Sequence, residues 1–133
     1  MGLDTSHDCW HGPYSSFNRW RNELARVAGY QFKKYDYIEA PVIDWDNLTQ
    51  EQLMGEWENT PADPLIVLIA HADCEGVIHP AQAEPLASRL EYLMGLLPAE
   101  NMIVGIPNYH SRTQAFIDGL RLAVANGEDV DFH

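Results

Sequence analysis

The chain has 133 residues, 46% hydrophobic and 21% charged, with 20 Asp plus Glu against eight Lys plus Arg and a formal charge of -12. A chain of this length folds as one domain by default and buries roughly two thirds of its unfolded surface. The sign and size of the charge repel phosphate backbones and anionic lipid, which sets nucleic acid and membrane surfaces aside as partners.

In chain order, residues 1–12 carry no helical or strand period and are crowded with Asp4, His7, Asp8, Cys9 and His11, the pattern of an ordered loop. The opening Met1-Gly2-Leu3-Asp4-Thr5-Ser6 fits a myristoylation pattern, but no basic patch supplies the second signal that stable anchoring needs. Pro13 suits a first helical position, and Phe17, Trp20, Leu24 and Val27 fall on one helical face that Gly29 ends. From Tyr30 to Trp45, aromatic and β-branched residues broken by Pro41 read as an extended segment or edge strand. Asn47-Leu48-Thr49 is a glycosylation sequon only in a secreted protein, and Thr49 with Gln52 forms a capping box opening a short helix with Leu53, Met54 and Trp57. After a loop at 61–64, Leu65-Ile66-Val67-Leu68-Ile69-Ala70 has the continuous apolar character of a strand buried on both faces, the expected central strand.

A polar turn, His71 to Gly76, leads to a helix starting at Pro80 or Pro85 and reaching Leu97, with Leu86, Leu90 and Leu93 on its inner face. Met102 to Ile106 reads as a short strand, and 111–126 as a last helix with Phe116, Ile117, Leu120, Ala123 and Val124 inward and Gly127 as its stop. The tail, 130–133, adds an edge strand. The expected fold is a single α/β domain over 1–133, a small central sheet with three or four packed helices. The longest apolar run is far short of the ~20 residues that span a bilayer, and no signal peptide opens the chain, so a cytoplasmic location is expected.

Two His/Asp/Cys segments carry the candidate chemistry. His7, Cys9 and His11 alternate, so in an extended loop they point the same way; His71, Asp73 and Glu75 do likewise before Gly76, with Cys74 between them. If 65–70 is a central strand, the second segment lies at its carboxyl end, where open α/β sheets bind ligands. Imidazole, thiolate and carboxylate are the donors zinc and other divalent first-row metals prefer, and His7, Cys9, His11, His71, Asp73 and Cys74 are the candidate ligands. Asp8 or Glu75 is then a candidate general base, with His110 or Arg112 stabilising charge. No accepted four-ligand spacing is matched, and the same residues also read as structural: His7 and Asp8 as caps of the first helix, Cys9 as a gap filler, His71 and Cys74 at a strand end. Two cysteines are too few for a disulfide framework; either one beside a histidine is an alternative nucleophile. Arg112, with the last helix's N-terminus, is a place for an anionic group, against the plainer reading of Ser111 as N-cap and Arg112 as solvated.

His71-x-Asp73-x-Glu75-Gly76 after an apolar segment resembles the first metal motif of the DHH phosphoesterases, whose further motifs and second domain this sequence lacks. The opening Gly2-Leu3-Asp4-Thr5-Ser6-His7-Asp8-Cys9-Trp10-His11-Gly12, with Tyr14, Phe17 and Arg19-Trp20-Arg21, is similar to a family of small tailed-bacteriophage proteins, chiefly of actinobacteriophages. Ala70-His71-Ala72-Asp73-Cys74-Glu75-Gly76 and the Phe132-His133 end extend the resemblance over the chain. It implies a phage origin and a host-cell setting, and no reaction. The leading expectation is a divalent-metal site, zinc-like, with an open position for water and hydrolysis of a small phosphate or amide. The alternative is a non-enzymatic accessory protein, monomeric or homodimeric, that binds a host protein or sequesters a small molecule.

Overall fold

Gly2 and Gly12 let two backbones come close enough to open the fold with a tight ladder. In the computed structural model, which describes residues 2–33, 42–54, 62–97 and 109–133, β1 (Gly2–Asp4) pairs antiparallel with β2 (His11–Pro13). A Cβ on Gly2 would lie 2.6 Å from the Gly12 carbonyl oxygen, so the ladder closes only with glycine there. Between the strands runs a 3-10 turn, Ser6–Asp8, with His7 and Asp8 at φ of 60° and 55°.

Helix α1 (Tyr14–Val27) buries Phe17, Trp20, Leu24 and Ala25, and Gly29 turns the chain away at φ 88°. β3 (Phe32–Lys33) and β4 (Val42–Ile43) pair with each other. The capping box opens α2 (Gln50–Met54): Gln52 N–H donates to Thr49 Oγ1 at 3.2 Å, and Thr49 N–H donates to Gln52 Oε1 at 2.8 Å. The positions of Pro41, Trp57 and the expected strand at 102–106 lie outside the described residues.

The expected central strand is instead a helix, α3 (Leu65–Ile69). The side chain of Asp63 accepts from Leu65 N–H at 3.0 Å, its carbonyl accepts from Ile66 N–H, and Pro64 holds a helical φ of -57°. Leu65, Leu68 and Ile69 are the fully turned-in residues, a spacing of three and four rather than two. His71 to Gly76 therefore follows a helix and sits at no carboxyl end of a sheet.

β5 (Val77–Ile78) precedes α4 (Pro80–Met94), which buries Leu86, Leu90 and Leu93; Leu97, just beyond it, is also buried. α5 (Tyr109–Asn126) turns in Phe116, Ile117, Leu120 and Ala123, and β6 (Val130–Asp131) pairs with β5. The fold is thus mixed α/β, with its strands in short antiparallel pairs around the helices. No described helix is long and apolar enough to cross a membrane.

Two of these pairs join through the tail. Thr5 bridges Phe132, Asp4 and His133 exchange backbone hydrogen bonds, and Phe132 N–H donates to Gly76 C=O at 2.9 Å. The order β2, β1, tail, β5 makes one ribbon along an edge of the molecule. Beneath it Trp10 stacks on Trp20 at 5.1 Å, and Phe17 meets Trp10, Trp20 and Phe132. The ribbon is anchored by an aromatic core.

Candidate functional site

The N-terminal turn is closed by Thr5, which pairs with Trp10 through both backbone and hydroxyl. Because the turn is tight, His7, Cys9 and His11 do not alternate along an extended loop. His7 faces the tail: Asp131 N–H donates to Ser6 Oγ at 2.9 Å, the Ser6 hydroxyl donates to His7 Nδ1 at 2.8 Å, and His7 Nε2 donates to Glu128 at 3.1 Å. A carboxylate only accepts, which fixes the ring's tautomer.

His11 stands exposed between two carboxylates, Nδ1 donating to Asp4 at 2.7 Å and Nε2 to Asp8 at 3.0 Å. Serving both requires the doubly protonated ring, and hydrogen bonding to Asp4, then to Asp8, holds its pKa above the ordinary histidine value. Because the folded-state pKa is raised, this contact's contribution is complete below the ordinary value and fades as pH rises through the raised one. Asp8 does not cap α1, whose N-cap, Pro13, receives no side-chain bond.

Cys9 turns inward, 1% exposed, against Gly119 of α5. Burial pushes its thiol up to about 12, with a smaller push from Asp8 against the Thr5 hydrogen bond. The thiolate that attacks or ligates is therefore scarce near neutral pH. Cys74 is exposed, and both cysteines are free thiols. Native protein treated with iodoacetamide is expected to be alkylated at Cys74 alone, Cys9 reacting only after unfolding; peptide mapping that finds both modified at similar rates would contradict this burial.

In the second segment, the His71 ring lies 4.1 Å from that of Phe132, the two planes tilted by 34°, and its Nδ1 and Nε2 face the carbonyl oxygens of Ala72 and Val77 at 2.7 and 3.1 Å. Gly76, at φ 98°, leaves room for that ring: a Cβ there would sit 3.1 Å from His71 Cε1. Asp73 accepts from Asn18 at 3.3 Å, and Glu75 is exposed. His110 faces the Leu97 carbonyl at 3.2 Å, far along the chain from both segments.

The six expected ligands are therefore not gathered at one point. Among the described residues no three His, Cys, Asp or Glu side chains are placed to share a metal ion. What the structure does bring together is the tail with each segment: His7 with Glu128, His79 with Asp129 at 2.9 Å, and His71 with Phe132. The sequence reading missed this intermediary, since two strand residues at 130–131 give no period that would mark a partner 125 residues away. It also missed Trp10 beneath Arg112, whose guanidinium lies 4.4 Å from the indole centroid and donates to His11 C=O at 2.9 Å.

Set against known protein families, characterised proteins and solved structures, the chain matches none.

Proposed function

We propose that the chain is a binding protein acting inside the cell, offering the acidic, histidine-studded ribbon to a cationic partner. On the phage resemblance, that partner is a basic segment of a host protein. The observation supporting this reading is how the carboxylates are paired. Asp4, Asp8, Glu128 and Asp129 pair with histidines, whereas Lys and Arg neutralise acids elsewhere: Arg26 with Glu23, Lys33 with Asp46, Arg89 with Asp63 and Arg121 with Glu91. Asp131 and Glu75 add exposed charge beside the ribbon. A charged His11 offsets only one of its two acids. The ribbon keeps a negative field that steers and holds a basic surface.

Calorimetric titration with a short oligo-lysine peptide at low salt tests this. Asp8→Asn/Asp129→Asn/Asp131→Asn is expected to weaken binding by about fivefold or more, while Asp46→Asn/Glu84→Gln/Asp118→Asn, with the same charge change elsewhere, leaves it nearly intact. Equal losses from the two triple variants would mean that total charge, not the ribbon, attracts the peptide.

A narrower metal reading has one observation in its favour. His11 Nε2 and Asp8 Oδ1 stand 3.0 Å apart, about the edge between two donors each ~2.1 Å from a shared ion at right angles. Asp4 on Nδ1 is placed as an orienting partner of a ligating histidine. Such an ion would supply a polarised water for hydrolysis of a small phosphate or amide. Elemental analysis of untagged protein decides it: a stoichiometric transition metal that His11→Ala releases supports the pair, and one that survives His11→Ala removes it.

A further inference from the structure

We propose that the cavity between the end of α1, α2 and α4 is a binding site for a small neutral aromatic amide. The cavity holds about 300 Å³ and is lined by Val27 and Ala28 at the end of α1, Gln52 of α2, Arg89 and Tyr92 of α4, and Leu96 just beyond it. That volume is at the small end of the roughly 300–1,000 Å³ typical of ligand pockets. Its wall carries one donor group and two acceptors that the fold leaves unused. Gln52 is 4% exposed; its Oε1 accepts from Thr49 N–H at 2.8 Å and its carbonyl accepts from Asp63 N–H at 3.1 Å. The Nε2 amide of the same side chain makes no hydrogen bond among the described residues, and it is not sealed from solvent. At the end of α1, the Ala25 and Arg26 carbonyls accept from Tyr30 and Gly29 N–H at 2.9 and 3.1 Å. The next two carbonyls, of Val27 and Ala28, receive no donor among the described residues.

A ligand that uses both kinds of group must accept from Gln52 and donate to a helix-end carbonyl, and a carboxamide does both while remaining neutral. Neutrality follows from the lining. Its one charged side chain, Arg89, already meets Asp63 through Nε and Nη2, so a charged ligand would enter without a counter-charge. The partial negative charge at a helix C-terminus further disfavours an anion. The apolar part of the ligand is set by Leu96 and the Tyr92 ring, 49% and 62% exposed, which offer an edge against which a flat ring packs. The Arg89 guanidinium, 5.5 Å from the Tyr92 centroid, steadies that ring, and the capping box fixes Gln52. The site is therefore largely formed before a ligand arrives.

The test is an NMR titration of the whole chain with benzamide, against benzoate and benzamidine at matched ionic strength. These three share one shape, but benzoate only accepts and is negative, whereas benzamidine only donates and is positive. Benzamide is expected to move the Gln52 side-chain amide signals saturably, together with the backbone amides of Ala28 and Gly29, whose peptide units carry the Val27 and Ala28 carbonyls. Gln52→Glu keeps an oxygen for Thr49 N–H, removes the N–H₂ donor and assigns its signals by their disappearance. It is expected to weaken binding, read at Ala28 and Gly29, by about fivefold or more. Tyr92→Ala is expected to weaken it by about threefold or more, while Leu122→Ala, which removes an exposed apolar side chain of α5, leaves it unchanged. No saturable movement at Gln52, Ala28 and Gly29, or equal binding by wild type, Gln52→Glu and Tyr92→Ala, overturns the site. Benzoate or benzamidine binding as tightly as benzamide overturns its neutral-amide assignment. If Gln52→Glu does not fold, shown by displaced tryptophan indole signals, the Tyr92→Ala comparison decides the outcome alone.

Discussion

Asp63→Asn is expected to lower the unfolding free energy by about 3–5 kcal/mol, the range for breaking a buried ion pair from one side. Asp63 is 1% exposed and serves four donors. Oδ1 accepts from Leu65 N–H, which starts α3, and from Arg89 Nε at 3.0 Å; Oδ2 accepts from the Tyr30 hydroxyl at 2.9 Å and Arg89 Nη2 at 3.3 Å. The acid thus ties α3 to α4 and to the segment after α1. Asparagine keeps one acceptor and turns an amide N–H₂ toward groups that already donate, and it removes the carboxylate charge that meets Arg89 Nε and Nη2. Burial and the neighbouring acid also push the Tyr30 hydroxyl's pKa upward, so it remains a donor across the usual pH range. Urea denaturation of wild type and variant measures the difference, and a loss below about 1 kcal/mol would show that the pair is not the structural hub described here.

Gly119→Ala reverses the usual sign of its substitution. Inside a helix the change ordinarily stabilises by about 1 kcal/mol. In α5 the added Cβ would collide with Cys9 Sγ, lie 2.7 Å from the His7 carbonyl oxygen and 3.1 Å from Cys9 Cα. Two of those three atoms are backbone of the N-terminal turn, which cannot swing aside as a side chain can. A destabilisation of about 1–3 kcal/mol is expected, and Cys9→Ala in the same chain should restore only part of it, because the His7 carbonyl remains in the way. Gly95→Ala is the matching control, its Cβ meeting only the Tyr92 carbonyl at an ordinary 3.5 Å. Thermal melts of the four proteins separate the two clashes; a Gly119→Ala protein as stable as wild type would mean that α5 does not rest on the turn.

Much of the helical framework was legible in the sequence. α1, α4 and α5 repeat their apolar residues at three- and four-residue steps over long stretches, and Thr49 with Gln52 marked the start of α2. The stretch 65–69 was misread because five consecutive apolar residues carry no period. The deciding signals lay before it, in Asp63 as a capping acid and Pro64 as a residue suited to helix starts. The candidate site was harder for a different reason. His7, Cys9 and His11 share a side only if the chain between them is extended, and the positive φ at His7 and Asp8 sends one ring to the tail, the thiol to α5 and the other ring outward. Nothing local announces that Trp10 lies under Arg112, since that contact is made by the packing of α5 and not by spacing.

The ribbon's tail strand has a consequence for the order of folding. Ser6 and Asp131, joined by one of its hydrogen bonds, are separated by 125 residues, and closing a loop of that length costs chain entropy before any contact returns it. The β1–β2 hairpin is local and forms on its own timescale, whereas the seam of Thr5 with Phe132 must wait until α4 and α5 have packed and brought the last residues alongside. The seam should therefore be among the latest parts to form and the earliest to open, so amide exchange at Asp131, Phe132 and His133 reports on a partial opening that leaves the helices intact.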